Sequence, residues 1–142
     1  MKHACLLVLA AVALAPATSA APAAEEKAVE PTEKMALFDG KTFDGWVRIL
    51  RGGRGDPDDT WKIKSDGVLH CTGKPAGYIR TEKVYKNYHF RMEYRWAGQP
   101  GNNGVLVHMT GEDKVWPKSL ECQGMYKNQG DFFEIGGFGF NE

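Results

Sequence analysis

Little in this 142-residue sequence is offered to several common chemistries: three cysteines, four histidines and no excess of either charge. With 18 basic against 18 acidic side chains, no long-range field draws the chain to nucleic acid or to an anionic membrane surface. Cys5 falls inside an apolar stretch, which leaves Cys71 and Cys122, too few for a disulfide framework and without a histidine at the spacing of a structural zinc site. The one apolar run, Ala4 to Ala15, is shorter than the roughly 20 residues a bilayer requires, so no membrane span is expected in the mature chain. From Met35 onward there is neither an internal repeat nor a helix-length stretch with apolar residues three and four apart. Strands should dominate.

What is present agrees with that. Seventeen glycines and 11% aromatic residues within a 42% hydrophobic chain fit a globular protein of strands and turns. Lys2 and His3, the apolar run and the small residues Thr18, Ser19 and Ala20 read as a secretory signal over residues 1–20, which predicts a periplasmic or secreted product. Residues 21–34 are small, charged and proline-bearing, and are expected to be a flexible leader; the folded part occupies 35–142. An oxidising compartment would permit Cys71 and Cys122 to pair, but two separate half-buried thiols is the reading favoured.

Along the folded part, Asp39-Gly40 and Asp44-Gly45 set turns around Phe38 and Trp46, both expected to tuck into the core. Leu50 to Thr60 carries too many glycines and charges for a strand and reads as an exposed loop. Trp61–Lys64 and Val68–Cys71 read as a hairpin, with Asp66-Gly67 supplying the positive φ angles of its turn. Gly77–Thr81 is a short strand. From His89 to Trp96, apolar Phe90, Met92, Tyr94 and Trp96 alternate with His89, Arg91, Glu93 and Arg95, which predicts a strand with a packed face and a polar one. Val105–Met109, Ser119–Tyr126 and Phe132–Ile135 are further strands.

In combination and in this order, Leu37-Phe38-Asp39-Gly40-Lys41 with Gly45-Trp46, the Trp61–Leu69 hairpin, the Tyr88–Trp96 segment, Asn102-Asn103-Gly104-Val105 and Trp116-Pro117-Lys118-Ser119-Leu120-Glu121-Cys122-Gln123 resemble the 3-keto-disaccharide hydrolase family. Gly130-Asp131-Phe132-Phe133 matches an element seen in some of its members. The resemblance implies an all-β, concanavalin A-like jelly roll of antiparallel sheets whose concave sheet carries a small-carbohydrate site. It also implies further strands after residue 142, among them a Trp-Asn pair and an Asn-Gly hairpin, so the domain is expected to be incomplete at its C-terminal end.

The candidate site follows from strand alternation. Glu121 and Gln123 share a face, and a carboxylate beside a carboxamide can exchange hydrogen bonds with sugar hydroxyls or move a proton; a solvated strand face is the bland alternative. His108, expected on a neighbouring strand, titrates near neutrality and suits acid or base work, or else is a structural histidine at a strand end. Glu93 and Arg95 share a polar face and could line the same surface, or form salt bridges of small value. Asn103 sits at a turn whose asparagines and glycine tolerate left-handed backbone, and its amide could touch sugar. Trp116 could stack on a pyranose or plug the core, and Asp131 could supply a second carboxylate. No cofactor signature is evident, and a divalent metal is left open.

For mechanism, the resemblance implies cleavage of a glycoside bearing a ketone at carbon 3. Such a ketone acidifies the C2 hydrogen, so one base could remove it and expel the glycosidic oxygen, with water added afterwards. A non-catalytic carbohydrate-binding module on the same scaffold, or an inactive remnant, are the competing readings.

Overall fold

The computed structural model describes residues 27–139, so the expected signal and the first part of the leader, residues 21–26, lie outside the described residues. Among the described residues the architecture is all-β, with seven short strands in three antiparallel sheets. No helix among them is long and apolar enough to cross a membrane. The first strand, β1 (Trp46–Leu50), pairs with β4 (Gly77–Thr81), Trp46 opposite Thr81 and Leu50 opposite Gly77. Strands β2 (Trp61–Ile63) and β3 (Leu69–Cys71) form the expected hairpin. Strands β5 (Gly104–Thr110), β6 (Lys118–Gln123) and β7 (Phe132–Ile135) make a three-stranded sheet with β6 in the middle.

The hairpin turn needs one left-handed residue rather than two. Gly67 has φ 80°, while Asp66 does not enter the positive-φ region. The Gly67 N–H donates to the Lys64 carbonyl at 2.9 Å and the Lys64 N–H to the Val68 carbonyl at 2.9 Å, closing a three-residue loop in which a single glycine takes the strained position. The Asp66 side chain accepts from the Val68 N–H instead of donating its backbone to the twist.

The stretch expected to be an exposed loop is ordered into a 3-10 turn at Arg51–Gly53 and a single helical turn, α1 (Pro57–Thr60). Proline at the first helical position costs no hydrogen bond, and the Asp56 carboxylate caps the turn by accepting from the Asp58 N–H at 2.9 Å. Residues 51–59 remain largely at the surface, but Thr60 is fully buried and donates its hydroxyl to the Pro75 carbonyl. In the entry segment the Trp46 indole donates to the Leu37 carbonyl at 2.7 Å. Phe38 and Trp46 are therefore held half-buried at the rim, not in the core.

Among the described residues Leu50, Trp61 and Leu120 are buried, together with Pro117. Trp61 joins the hairpin to the β1–β4 ribbon by lying against Gly77. A Cβ on Gly77 would come within 2.8 Å of the indole and 2.2 Å of the Ile49 carbonyl oxygen, so glycine is required there by space. A second, polar link ties β4 to the loop after β5. Arg80 donates to both Asp113 carboxylate oxygens, at 2.8 and 2.7 Å, and the Tyr78 hydroxyl donates to one of them at 2.9 Å. Hydrogen bonding from Arg80, reinforced by Tyr78, holds the Asp113 carboxyl below its ordinary value. Burial first, then the neighbouring Asp113 carboxylate, pushes the Tyr78 hydroxyl up to about 12.

Two expectations are corrected. The end of the leader is docked rather than free: Val29 forms a parallel bridge with Tyr85, and Glu30 bonds both Lys86 and Asn87. A segment without apolar periodicity can still be held by backbone and ionic contacts, which leave no periodic trace. The 89–96 segment, in contrast, alternates as a strand should but joins no ladder among the described residues. Phe90, Met92 and Tyr94 are exposed instead of packed, because alternation supplies two faces but no hydrogen-bonding partner. Cys71 and Cys122 are unbonded thiols, the first exposed and the second half-buried.

Replacing Asp113 by alanine is expected to cost about 1 kcal/mol, the scale of a charge-assisted, partly exposed network, read as a lower urea midpoint with an unchanged slope. Because the Asp113 pKa is depressed in the folded state, its contribution is complete above the ordinary carboxylate value and is lost as pH falls through the lowered one. The gap between wild type and variant should therefore close in acid.

Candidate functional site

Strand β6 is the organising element, because among the described strands it alone is paired on both edges. In the β5–β6 ladder Gly104 faces Gln123 and Leu106 faces Glu121; in the β6–β7 ladder Glu121 faces Phe133 and Ser119 faces Ile135. Paired residues present their side chains to the same side of a sheet, so Glu121, Gln123, Gly104, Leu106 and Phe133 share one face. The expected Glu121 and Gln123 pair is thus placed together, at the end of β6.

Glu121 is a carboxylate flanked in both ladders by apolar side chains, and only 7% of its surface remains exposed. No hydrogen bond or ion pair compensates it among the described residues. Desolvation accordingly pushes its carboxyl above the ordinary value of 4.5. Its side chain lies diagonally across Gly104: a Cβ on that glycine would sit 2.1 Å from Oε1, 2.8 Å from Cδ and 2.9 Å from Cγ. The Gln123 carboxamide oxygen accepts from the Met125 N–H at 2.8 Å, which fixes the amide and leaves its NH2 end as the available donor.

The neighbouring chain closes this end of the sheet. The Gly124 N–H donates to the Asn103 carbonyl at 2.8 Å, and the Tyr126 N–H to Gly101 at 3.1 Å. The Asn103 side-chain Oδ1 is buried with no partner, pressed against Gly124, where a Cβ would come within 2.1 Å of it. Asn102, Asn103 and Gly104 all have ordinary φ, so the turn geometry expected for them does not account for them. Space does. The Tyr94 hydroxyl donates to the Gly124 carbonyl at 3.1 Å, with Trp96 edge-on to it at 5.7 Å. The 89–96 segment thus approaches the site with its aromatic side chains.

The remaining candidates are dispersed. His108 is on β5, next to the Glu121 strand as expected, but a bulge between Val107 and Thr110 puts it in left-handed backbone at φ 54°. Alternation fails at such an insertion, and the exposed imidazole packs against Phe138 at 6.2 Å, with no hydrogen bond to Glu121. Glu93 pairs with Arg91 in a largely exposed ion pair, and among the described residues neither Glu93 nor Arg95 forms a hydrogen bond or ion pair with Glu121. Asp131 is exposed, but its carbonyl accepts from the Gln123 N–H at 2.8 Å, which places it beside the glutamine. Trp116 precedes β6, at the opposite end of the strand from Gln123, and is 51% exposed, which rules out a core plug; Pro117 is the buried member of that pair. Among the described residues no three histidine, cysteine, aspartate or glutamate side chains gather as a metal ion would require. A shallow groove of about 420 Å³ between Lys41–Phe43 and Trp61–Ile63 shares no residue with the Glu121 face.

Residues 33–138, well over half of the chain, match the family model described as a 3-keto-alpha-glucoside-1,2-lyase-like domain. The chain belongs to this family. The all-β architecture of antiparallel sheets is consistent with the jelly-roll domain of that family. No curated protein and no solved structure gives a significant match. Reading the sequence alone missed Tyr94, Gly104 and Gly124 as parts of the site. A signal for the glycines was present, since one follows Asn103 and the other follows Gln123 directly.

Exchanging Glu121 for glutamine is expected to raise the melting temperature at neutral pH. The raised folded-state pKa means that ionised Glu121 opposes folding; this opposition is absent below the ordinary pKa and grows as pH rises towards the raised value. The stabilisation should accordingly vanish in acid, as paired thermal melts at the two conditions would register.

Proposed function

We propose that this domain cleaves 3-keto-glucosides by elimination, with Glu121 as the base that takes the C2 hydrogen. The observation that carries the reading is a carboxylate desolvated between Leu106 and Phe133 and, among the described residues, without a hydrogen-bond or ion-pair partner. A base with a raised pKa is a stronger proton acceptor once ionised, and the C2 hydrogen is acidic only because the adjacent C3 carbonyl can receive the electron pair. Glu121 accepts that proton, the C2 electrons form the enolate, and the C1–oxygen bond breaks with departure of the glycosidic oxygen. The carboxylic acid so formed can return the proton to the leaving oxygen, and water can then add across the new double bond.

Gln123 suits the stabilising role, since its fixed amide retains two N–H donors for an enolate or a hydroxyl. The aromatic edge of Tyr94 and Trp96 offers an apolar surface for a sugar ring, the part that Trp116 was expected to play. Asn103 and Asp131 border the same end of the sheet and are proposed as sugar contacts, while His108, Glu93 and Arg95 would require a rearrangement to join them. A periplasmic or secreted location belongs to the same proposal, supported by the signal-like composition of residues 1–20.

Incubation with a 3-keto-glucoside in deuterated water tests the reading. Turnover should be accompanied by deuterium at C2 of recovered substrate or hydrated product, and Glu121→Gln should lower kcat/KM by about 100-fold or more. Cleavage with full retention of the original C2 hydrogen would exclude elimination. Saturable binding without turnover, unchanged in Glu121→Gln, would instead identify a carbohydrate-binding module.

A further inference from the structure

Gly104 opens β5 in ordinary backbone geometry, outside the left-handed region in which glycine has its conformational advantage. Nothing in its φ angle calls for glycine, and a residue with a side chain would pay less entropy in a strand. The space above it does call for glycine. The three closest atoms to a Cβ built there all belong to Glu121: Oε1 at 2.1 Å, Cδ at 2.8 Å and Cγ at 2.9 Å. No backbone atom is among them. An added methyl group would therefore collide first with the Glu121 side chain. Because Cγ as well as the carboxyl tip is too close, rotation of the tip alone gives no relief, and the whole Glu121 side chain must move.

We infer that Gly104 is a positioning residue that holds the Glu121 carboxylate in its desolvated pose by providing the seat on which it lies. The inference rests on the reading of Glu121 as the reacting base, but the seat itself is a matter of sterics. Once displaced, the carboxylate leaves the ground between Leu106 and Phe133 and gains water. Around it, the titratable groups of the packed strands are His108 on β5, Lys118 and Cys122 on β6, the latter paired with Val105 and Phe132 on the face away from Glu121, and Glu134 on β7, with Asp131 just before β7. Lys118 and Glu134 lie on the opposite face, Lys118 two positions from Leu120 and Glu134 paired with it. Apolar flanking therefore governs Glu121.

The experiment compares Gly104→Ala with wild type in three ways. On a 3-keto-glucoside, kcat should fall by about 100-fold, as for a reacting group displaced by an ångström, with KM little changed. The Glu121 carboxyl resonance, followed by carbon-13 NMR, should titrate closer to the ordinary glutamate range than in wild type. In the Glu121→Ala background, Gly104→Ala should cause no further loss of activity or of thermal stability, because the group it displaces is gone. An unchanged Glu121 titration would overturn the inference, as would a stability loss that persists in the Glu121→Ala background. The last comparison also decides the matter if Gly104→Ala alone folds poorly. Full activity in Glu121→Gln would instead refute the base assignment, while the NMR titration would still judge the seat.

Discussion

A missing Cβ creates the room at three close approaches in this molecule. Gly77 admits the Trp61 indole and so fastens the β2–β3 hairpin to the β1–β4 ribbon; Gly104 admits Glu121; Gly124 admits the Asn103 amide oxygen. In each case the constraint is steric exclusion at distances that no real Cβ contact reaches, and in none does the φ angle of the glycine enter. The first contact builds core. The other two press polar atoms against the sheet and away from water, at the one end of β6 where a carboxylate and a carboxamide emerge together.

That arrangement works against stability. A carboxylate held among apolar neighbours without a donor raises the energy of the folded state whenever it is ionised, and a buried amide oxygen without a partner does the same on a smaller scale. Elsewhere polar groups are better satisfied, Asp113 being held by three donors and Thr60 bonded in full burial, although His70 Nδ1 on β3 is, like Asn103 Oδ1, buried without a partner among the described residues. What distinguishes the Glu121 end is a desolvated carboxylate beside a carboxamide, and the site proposed there draws its chemistry from membership of the 3-keto-alpha-glucoside-1,2-lyase-like family.

Local patterns made much of the fold legible. The Trp61–Cys71 hairpin, the Gly77–Thr81 strand and the side-by-side placement of Glu121 and Gln123 all follow from alternation and turn chemistry, which act within a few residues. What was not legible depends on distant partners. The bulge that diverts His108 arises from a register shift against β6. The docking of Val29 on Tyr85, and the grip of Arg80 and Tyr78 on Asp113, join residues far apart in sequence whose types announce nothing. For the same reason Tyr94 was assigned to packing, although its hydroxyl meets Gly124 thirty residues later in the chain.

The stretch from Tyr88 to Trp96 contributes no backbone hydrogen bond among the described residues and is moored chiefly through the Tyr94 phenol. Its amide hydrogens are open to solvent and should trade for deuterium at nearly the rate of an unstructured peptide, while those of β6 are shielded on both edges. One side of the Glu121 end of the sheet is thus bordered by a segment held by side chains, and the other by a ladder hydrogen-bonded along its backbone. The border on the aromatic side is therefore fixed at a single hydroxyl, while the carboxylate beside it is carried on a strand locked at both edges.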